Sequence, residues 1–414
     1  MNGKIIFFPL AILFCLLFSC EKFGNGEAVL LTDRPEFAFY ANLFNMTQDK
    51  YKIEVVYKSD AADFFYRDNA RPDIIAGSWL KSASTLKLWQ SLDFLFRQNS
   101  ELEESFYPSL LALGRFDKKQ RLLPVSFNLP VIIFSETNSH LISDPFTIEP
   151  EEIKTLGKDF NEESDSVFTR VGFSPLWNGN FLFEIAVLFN AAFREDSPLE
   201  WDEDALSRAV NYIRGWIEDT NGGVKAEDDF YFKYFFDTPS KLVGNARILF
   251  AYAESSKFFM TPDEMRESLD FRMLSGDGLV PVIENAVYYG LNRNGRAKQA
   301  AKAFTVWFFN EETQMLLLKE SVKNRLSDTI FGISNGFSAM RTVNETIFPL
   351  YYPSLLGHIP PADLLAAPNI LPKNWTELKE RVVIPYLLAA SRGENTPSLK
   401  QRLNDWLRIH NSNE

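Results

Sequence analysis

Ala28-Val29-Leu30-Leu31-Thr32-Asp33-Arg34, followed through Tyr51-Lys52-Ile53-Glu54-Val55-Val56-Tyr57 to Arg71-Pro72-Asp73-Ile74-Ile75-Ala76-Gly77, switches between two periods. Ala28 to Leu31 is a short apolar run of strand type. Arg34 to Met46 then places Phe37, Tyr40, Ala41 and Phe44 at helical spacing. Tyr51 to Tyr57 alternates, and Arg71 to Gly77 is a third strand after a turn. A strand-helix-strand-helix-strand order predicts a parallel sheet with helices on its faces. Such sheets bind ligands beyond the carboxyl ends of their strands. Those ends are Thr32-Asp33-Arg34 and Gly77-Ser78-Trp79.

A second α/β region follows the strand-like segment Leu122 to Ser135. Asp202 is read as the cap of a helix whose Leu206, Ala209, Val210, Ile213, Trp216 and Ile217 share one face. Thr261-Pro262-Asp263-Glu264 has the spacing of a capping box, which predicts a helix start there. Gly295 to Phe309 carries a stripe of Ala297, Ala300, Ala301, Phe304, Trp307 and Phe308, and two more helices begin at Thr376 and Thr396-Pro397. No repeat or low-complexity linker divides these segments, and 414 residues suffice for two or three domains.

The amino terminus is of another kind. Lys4, the apolar run Ile5 to Phe18, and Ser19 before Cys20 have the marks of a secretory signal, and the run is short for a membrane span. Leu17-Phe18-Ser19-Cys20 resembles the bacterial lipoprotein signal, with Phe18 standing where a small residue is usual. That resemblance implies cleavage before Cys20, acylation of its thiol, and anchorage to a membrane on its periplasmic or extracellular face. Glu21 to Glu27 would then be a tether reaching at most about 24 Å from the anchor at roughly 3.4 Å per residue. Cys15 falls in the leader, so the mature chain would hold no disulfide and rely on its core. The net charge of −12 argues against nucleic acid as a partner.

Three stretches in order resemble the extracellular solute-binding proteins of the maltose-binding type, which feed ABC importers. They are Leu31 to Asn45 with the two strands after it, Leu123-Pro124-Val125-Ser126-Phe127-Asn128, and Pro281 to Asn292 followed by Ala297 to Leu316 with its Glu311-Glu312-Thr313-Gln314. The resemblance implies an α/β fold of two lobes, each discontinuous in sequence, with a ligand cleft between them. It places a signal at 1–19, a tether at 20–26, lobe one at 27–123 and 279–327, and lobe two at 124–278 and 328–414. It further implies a monomeric, non-enzymatic receptor without cofactor or metal, whose partners are a small solute, a carbohydrate first, and the transmembrane subunits of a permease.

A sugar ring offers an apolar C–H face and a rim of hydroxyls, so its site needs an aromatic plane and fixed polar groups. Trp216, Trp307, Trp406 and Trp89 lie on core stripes, and Trp201 and Trp375 stand where they can staple helix starts. Trp79 and Trp177 follow strand ends among Ser, Gly, Pro and Asn, which makes them candidates for the cleft, with core-edge packing as the alternative. Under the resemblance, Asp33, Arg34 and Trp79 face the ligand from lobe one, and Trp177 and Tyr252 from lobe two. Ser126 and Asn128 lie at one crossover, and Asn285 and Tyr288 at the return. Arg34 leaves an anionic ligand open. Gly332-Ile333-Ser334-Asn335-Gly336 matches a nucleophile elbow, which with Asp363 and His410 would make an exported serine hydrolase. A Gly-bearing turn is the plainer reading of that stretch. A surface lipoprotein that keeps the fold as a scaffold without transport is the remaining alternative.

Overall fold

Three strands of the opening segment pair as their apolar period requires. The computed structural model describes residues 26–67, 71–83, 85–165 and 167–411. The signal sequence and Cys20 therefore lie outside the described residues. β1 (Glu27–Thr32) runs parallel to both β2 (Lys52–Tyr57) and β3 (Ile74–Gly77), with Leu30 opposite Val55 and Ile74. Helix α1 (Glu36–Thr47) crosses from β1 to β2 and buries Phe37, Tyr40, Ala41 and Phe44; α2 (Ala61–Arg67) crosses from β2 to β3. β4 (Leu122–Phe127) is buried along its whole length, as a central strand covered on both faces must be.

The second sheet starts after two intervening residues. It consists of β5 (Pro130–Ser135), β6 (Thr147–Ile148), then, after helices α3 (Gly179–Leu188), α4 (Glu203–Thr220) and α5 (Val224–Lys233), β7 (Ala251–Glu254) and β8 (Leu269–Leu274), in the order β7-β5-β8-β6. Strand alternation divides β5 between two cores. Ile132 and Phe134 pack with Phe181 of α3 and Trp216 of α4. Val131 and Ile133 join the apolar cluster that continues into the first lobe. The chain then returns through β9 (Val287–Leu291), which pairs antiparallel with β3 and β4. α6 (Lys298–Phe308) packs against β1 and β2, with Phe304 5.3 Å from Phe44 and Phe308 5.4 Å from Phe37. α7 (Glu311–Lys323) follows, and β10 (Phe337–Ser338) closes the first sheet as β10-β4-β9-β3-β1-β2. Residues 337–338 thus join the first sheet, although the sequence assigned everything after 327 to the second lobe. The second lobe is completed by Trp375–Leu378, a π-helical turn at Lys379–Val383, Ile384–Ser391 and α8 (Leu399–Asn411).

Local signals were uneven guides. Asp202 caps α4 through its carboxylate and the Ala205 amide, as the sequence predicts. The capping box at Thr261 does not form. The Thr261 hydroxyl donates back to the Lys257 carbonyl, and only the four residues Asp263–Arg266 are helical.

Where the chain first passes between the sheets, Asn128 acts as a bolt. Its Nδ2 donates to the Asn335 carbonyl at 2.9 Å, and its Oδ1 accepts from Ser255 Oγ at 2.8 Å and the Ser256 amide at 3.1 Å. Its own carbonyl accepts from the Ile283 amide at 2.9 Å. Both crossovers and the 332–336 turn are thereby held at one residue. Asn128→Ala is expected to lower stability by about 2 kcal/mol, since it leaves buried partners unpaired. Urea unfolding of the mutant measures this, and an unchanged midpoint would show that the bolt carries no load.

Candidate ligand cleft

Parallel pairing of β1 with β3 brings Thr32-Asp33-Arg34 beside Ser78 and Trp79. Gly77 permits the approach, because a Cβ there would lie 2.9 Å from Asp33 Oδ1. Ser78 donates its amide to Asp33 Oδ2 at 3.1 Å and its hydroxyl to the Asn285 carbonyl at 3.0 Å. Arg34 donates Nη2 to Ser78 Oγ at 2.6 Å and to the same Asn285 carbonyl at 3.4 Å. Its Nε lies 3.3 Å from Asp33 Oδ1. Burial raises the pKa of Asp33, and the Arg34 charge opposes that shift. Asp33 Oδ1 and Arg34 Nε, each other's ionic partner, and Glu36 Oε2 are buried without a hydrogen bond among the described residues. Trp79 beside them is half-buried, sits at φ +62°, and packs against both apolar clusters. A tryptophan in the left-handed region is strained, and such strain gathers at functional sites.

The second lobe presents a cluster of buried charge next to this corner. Glu284 precedes Asn285, and its Oε1 accepts from Lys379 Nζ at 2.5 Å and from Trp375 Nε1 at 3.2 Å. Glu184, on α3, is 2 % exposed, and its Oε1 has no hydrogen-bond partner among the described residues. Burial pushes its carboxyl up to about 8; the charge of Glu284 adds to the rise and Lys379 opposes it. For Lys379 burial acts downward, but Glu284 and Glu184 outweigh it and the pKa is raised. The Tyr252 hydroxyl is buried and unpaired, and burial raises it well above its usual range.

Two cavities adjoin here through Ala367, Pro368 and Asn369. One, of about 390 Å³, includes Glu184, Phe193, Asp277 and Glu284 in its walls. The other, of about 490 Å³, is walled by Lys81, Ala83 and Leu86 from the first lobe and by Arg194, Glu195 and Ile370 from the second. Polar contacts bridge the lobes at this rim. Glu195 accepts from Ser82 Oγ at 2.5 Å and the Ala83 amide at 2.9 Å, and Lys373 pairs with Asp63.

The residues singled out from sequence thus fall into three groups. Asp33, Arg34, Trp79 and Asn285 are brought together at the lobe-one corner. Trp177 and Tyr252 line a separate cavity of about 240 Å³ in the second lobe. There Trp177 stacks on Phe230, 5.5 Å away with an interplanar angle of 8°, and donates Nε1 to the Glu227 carbonyl at 3.4 Å. Ser126, Asn128 and Tyr288 are interior. Ser126 Oγ donates to the Ser334 carbonyl at 3.2 Å, Asn128 is the bolt, and Tyr288 donates its hydroxyl to the Leu110 carbonyl at 2.9 Å with the Lys81 amine 4.2 Å from its ring centroid. Tyr288 is fully buried because β9 is a central strand, covered on both faces.

Sequence reasoning missed Glu184, Glu284, Trp375 and Lys379. One signal for Glu184 was available: it is the single charge in the helix Gly179–Leu188. Trp375, read as a staple, is fully buried against Glu284.

The hydrolase reading finds no support in the geometry. Ser334 is 1 % exposed at φ +48°, its amide donates to the Tyr40 hydroxyl at 2.8 Å, and its Oγ has no partner among the described residues. A nucleophile elbow needs an exposed Oγ bonded to a base. His410 instead lies 2.9 Å from Glu377 and stacks on Trp406. Among the described residues no three His, Cys, Asp or Glu are grouped to hold a metal ion, and no helix is long and apolar enough to cross a membrane.

No protein-family model matches this sequence, and no curated protein matches it. Solved structures do. The sugar-binding protein MalE from Xanthomonas citri superposes with a TM-score of 0.63 at 10 % identity, over 92 % of this chain and 95 % of that one. The extracellular solute-binding protein from Staphylococcus aureus, in complex with maltose, gives 0.58 at 16 % identity over 94 % and 97 %. The ABC substrate-binding protein Lmo0181 from Listeria monocytogenes, in complex with cycloalternan, gives 0.58 at 13 % over 93 % and 99 %. Agreement over nine-tenths of both chains at such low identity is agreement of fold: the chain has the two-lobe α/β fold of the maltose-binding type of solute-binding proteins.

Proposed function

We propose that this protein is a substrate-binding lipoprotein that captures a carbohydrate between its lobes and delivers it to the transmembrane subunits of an ABC permease. The observation that carries this reading is the meeting, at one residue pair, of two half-sites from different lobes. Asn285 belongs to the Asp33–Arg34–Ser78 corner beside Trp79, and Glu284 to the cluster of Lys379, Trp375 and Glu184. An aromatic plane beside fixed donors and acceptors suits a sugar's C–H face and hydroxyl rim. The maltose and cycloalternan held by two of the structural neighbours support the same class of ligand.

Mechanistically the work is closure. A solute that touches the lobe-one corner and the lobe-two cluster together binds the closed form better than the open one, and shifts the population toward it. No bond is made or broken, and the protein acts as a monomer without cofactor. The Ser19-Cys20 junction supports a diacylglyceryl anchor that keeps the receptor near its permease on the outer side of the membrane.

Three measurements test the reading. In a thermal-shift screen of the chain from residue 21 onward, a cognate saccharide at a hundred times its dissociation constant should add about 2.7 kcal/mol of stability; if no mono- or oligosaccharide does so, the carbohydrate reading falls. Trp79→Ala should weaken binding of that saccharide by about tenfold or more while lowering ligand-free stability by less than about 2 kcal/mol. A large stability loss with unchanged affinity would return Trp79 to the core. Finally, Cys20→Ala should abolish labelling of the full-length protein by a radioactive fatty acid, and persistent labelling would refute the anchor.

A further inference from the structure

We infer that the second-lobe cavity receives a positively charged amino group, so that the solute is an amino-bearing saccharide rather than a neutral or N-acetylated one. This rests on the cleft being the ligand site and adds the class of ligand. The cavity of about 390 Å³ has three carboxylates in its wall, Glu184, Asp277 and Glu284, and no Lys or Arg among its described lining residues. Lys379 lies behind it and is committed: its ammonium bonds Glu284 Oε1 at 2.5 Å and lies 4.2 Å from the Phe183 ring centroid. Trp375 donates to the same oxygen. Glu284 is therefore satisfied twice and Glu184 has no hydrogen-bond partner for its Oε1.

A carboxylate that is 98 % withdrawn from solvent without a donor is costly to keep charged. Its own helix offers no remedy, because Glu184 lies in the middle of α3, where the backbone amides already bond the preceding turn. Nearby side chains add to the deficit. Glu254 is engaged with Asn180 at 3.4 Å and Lys257 at 3.1 Å, and its negative charge acts on Glu184 and Tyr252 alike. The Tyr252 hydroxyl is unpaired as well. Lys81 belongs to the adjoining cavity, where its amine faces the Tyr288 ring and burial lowers it to about 7, so it supplies Glu184 no fixed cation.

A hydroxyl brings one donor and no charge to such a place. An ammonium brings three donors and a compensating charge, so beside it the Glu184 carboxyl, which burial above all holds up to about 8, releases its proton to solvent and pairs as the carboxylate. Acetylation removes that charge. The preference follows from Glu184 in particular, because Glu284 already has its cation.

The test compares ligands of equal length on the intact protein by calorimetry at neutral pH: glucosamine oligomers, their N-acetylated forms, and glucose oligomers. The amine series should bind at least about tenfold more tightly, as expected for a desolvated charge pair. In Glu184→Gln the ratio of amine to neutral affinity should collapse to about twofold or less, whatever the absolute affinities, and a ratio that stays at about tenfold would overturn the inference. If neutral or N-acetylated sugars bind wild type as tightly as the amines, the inference is overturned while the carbohydrate reading stands. If no saccharide in any series binds, the carbohydrate reading itself fails and takes the inference with it. Should Glu184→Gln fail to fold, the comparison of amine with N-acetyl on wild type decides alone.

Discussion

The return crossover holds the molecule's polar interior together through two consecutive residues. The Asn285 carbonyl accepts from Arg34 and Ser78, groups placed by the carboxyl ends of β1 and β3. One residue earlier, the Glu284 side chain turns to the second lobe and takes Lys379 and Trp375. Glu284 and Asn285 share a turn in which one offers its side chain to the second lobe and the other its carbonyl to the first, so a single short segment serves both lobes at once. A buried pair such as Glu284–Lys379 gains little net stability once desolvation is counted, but breaking it is expensive because one charge is left alone. Its consequence is therefore geometric. It fixes where the floor of the cleft lies relative to the corner at Asp33.

This arrangement explains what the sequence could and could not disclose. Period alone made the first sheet readable, since β1, β2 and β3 alternate or run apolar and α1 spaces its rings by turns. Asp33, Arg34 and Trp79 followed from a rule about strand ends, and Asn285 from resemblance. The rest depended on contacts between segments far apart in the chain. Glu284 and Lys379 are ninety-five positions apart. Nothing local distinguishes a lysine that will be buried against a carboxylate from one on a solvated face. Tyr288 failed for a related reason: an aromatic in a run such as Val287-Tyr288-Tyr289-Gly290-Leu291 reads alike whether its strand is central or at an edge, and here the strand is central. Phe337–Ser338 was misplaced because a two-residue edge strand has no period to read.

Contacts between the lobes are of two kinds, and the difference bears on how the protein works. On the side of Asn128 they are apolar and aromatic. Phe259 stacks on Phe331 at 4.5 Å and meets Phe337 and Tyr352 edge-on, within a cluster that runs unbroken from the first lobe to one face of the second sheet. Such packing is non-directional, and rings in edge contact tolerate small rotations with little loss. At the rim of the cleft the contacts are polar: Glu195 with Ser82 and Ala83, and Lys373 with Asp63.

Directional contacts behave otherwise. A hydrogen bond weakens steeply with angle and is lost over an ångström or two, so opening the lobes would break the rim while the aromatic side merely turns. A partly exposed ion pair such as Lys373–Asp63 contributes only about 0–1 kcal/mol, because water competes for both partners. The rim can bias the lobes toward closure by a kilocalorie or two but cannot lock them. On the reading proposed above, the larger share comes from a solute that reaches Glu184, whose Oε1 has no hydrogen-bond partner among the described residues. On that reading closure answers to the solute rather than to the rim.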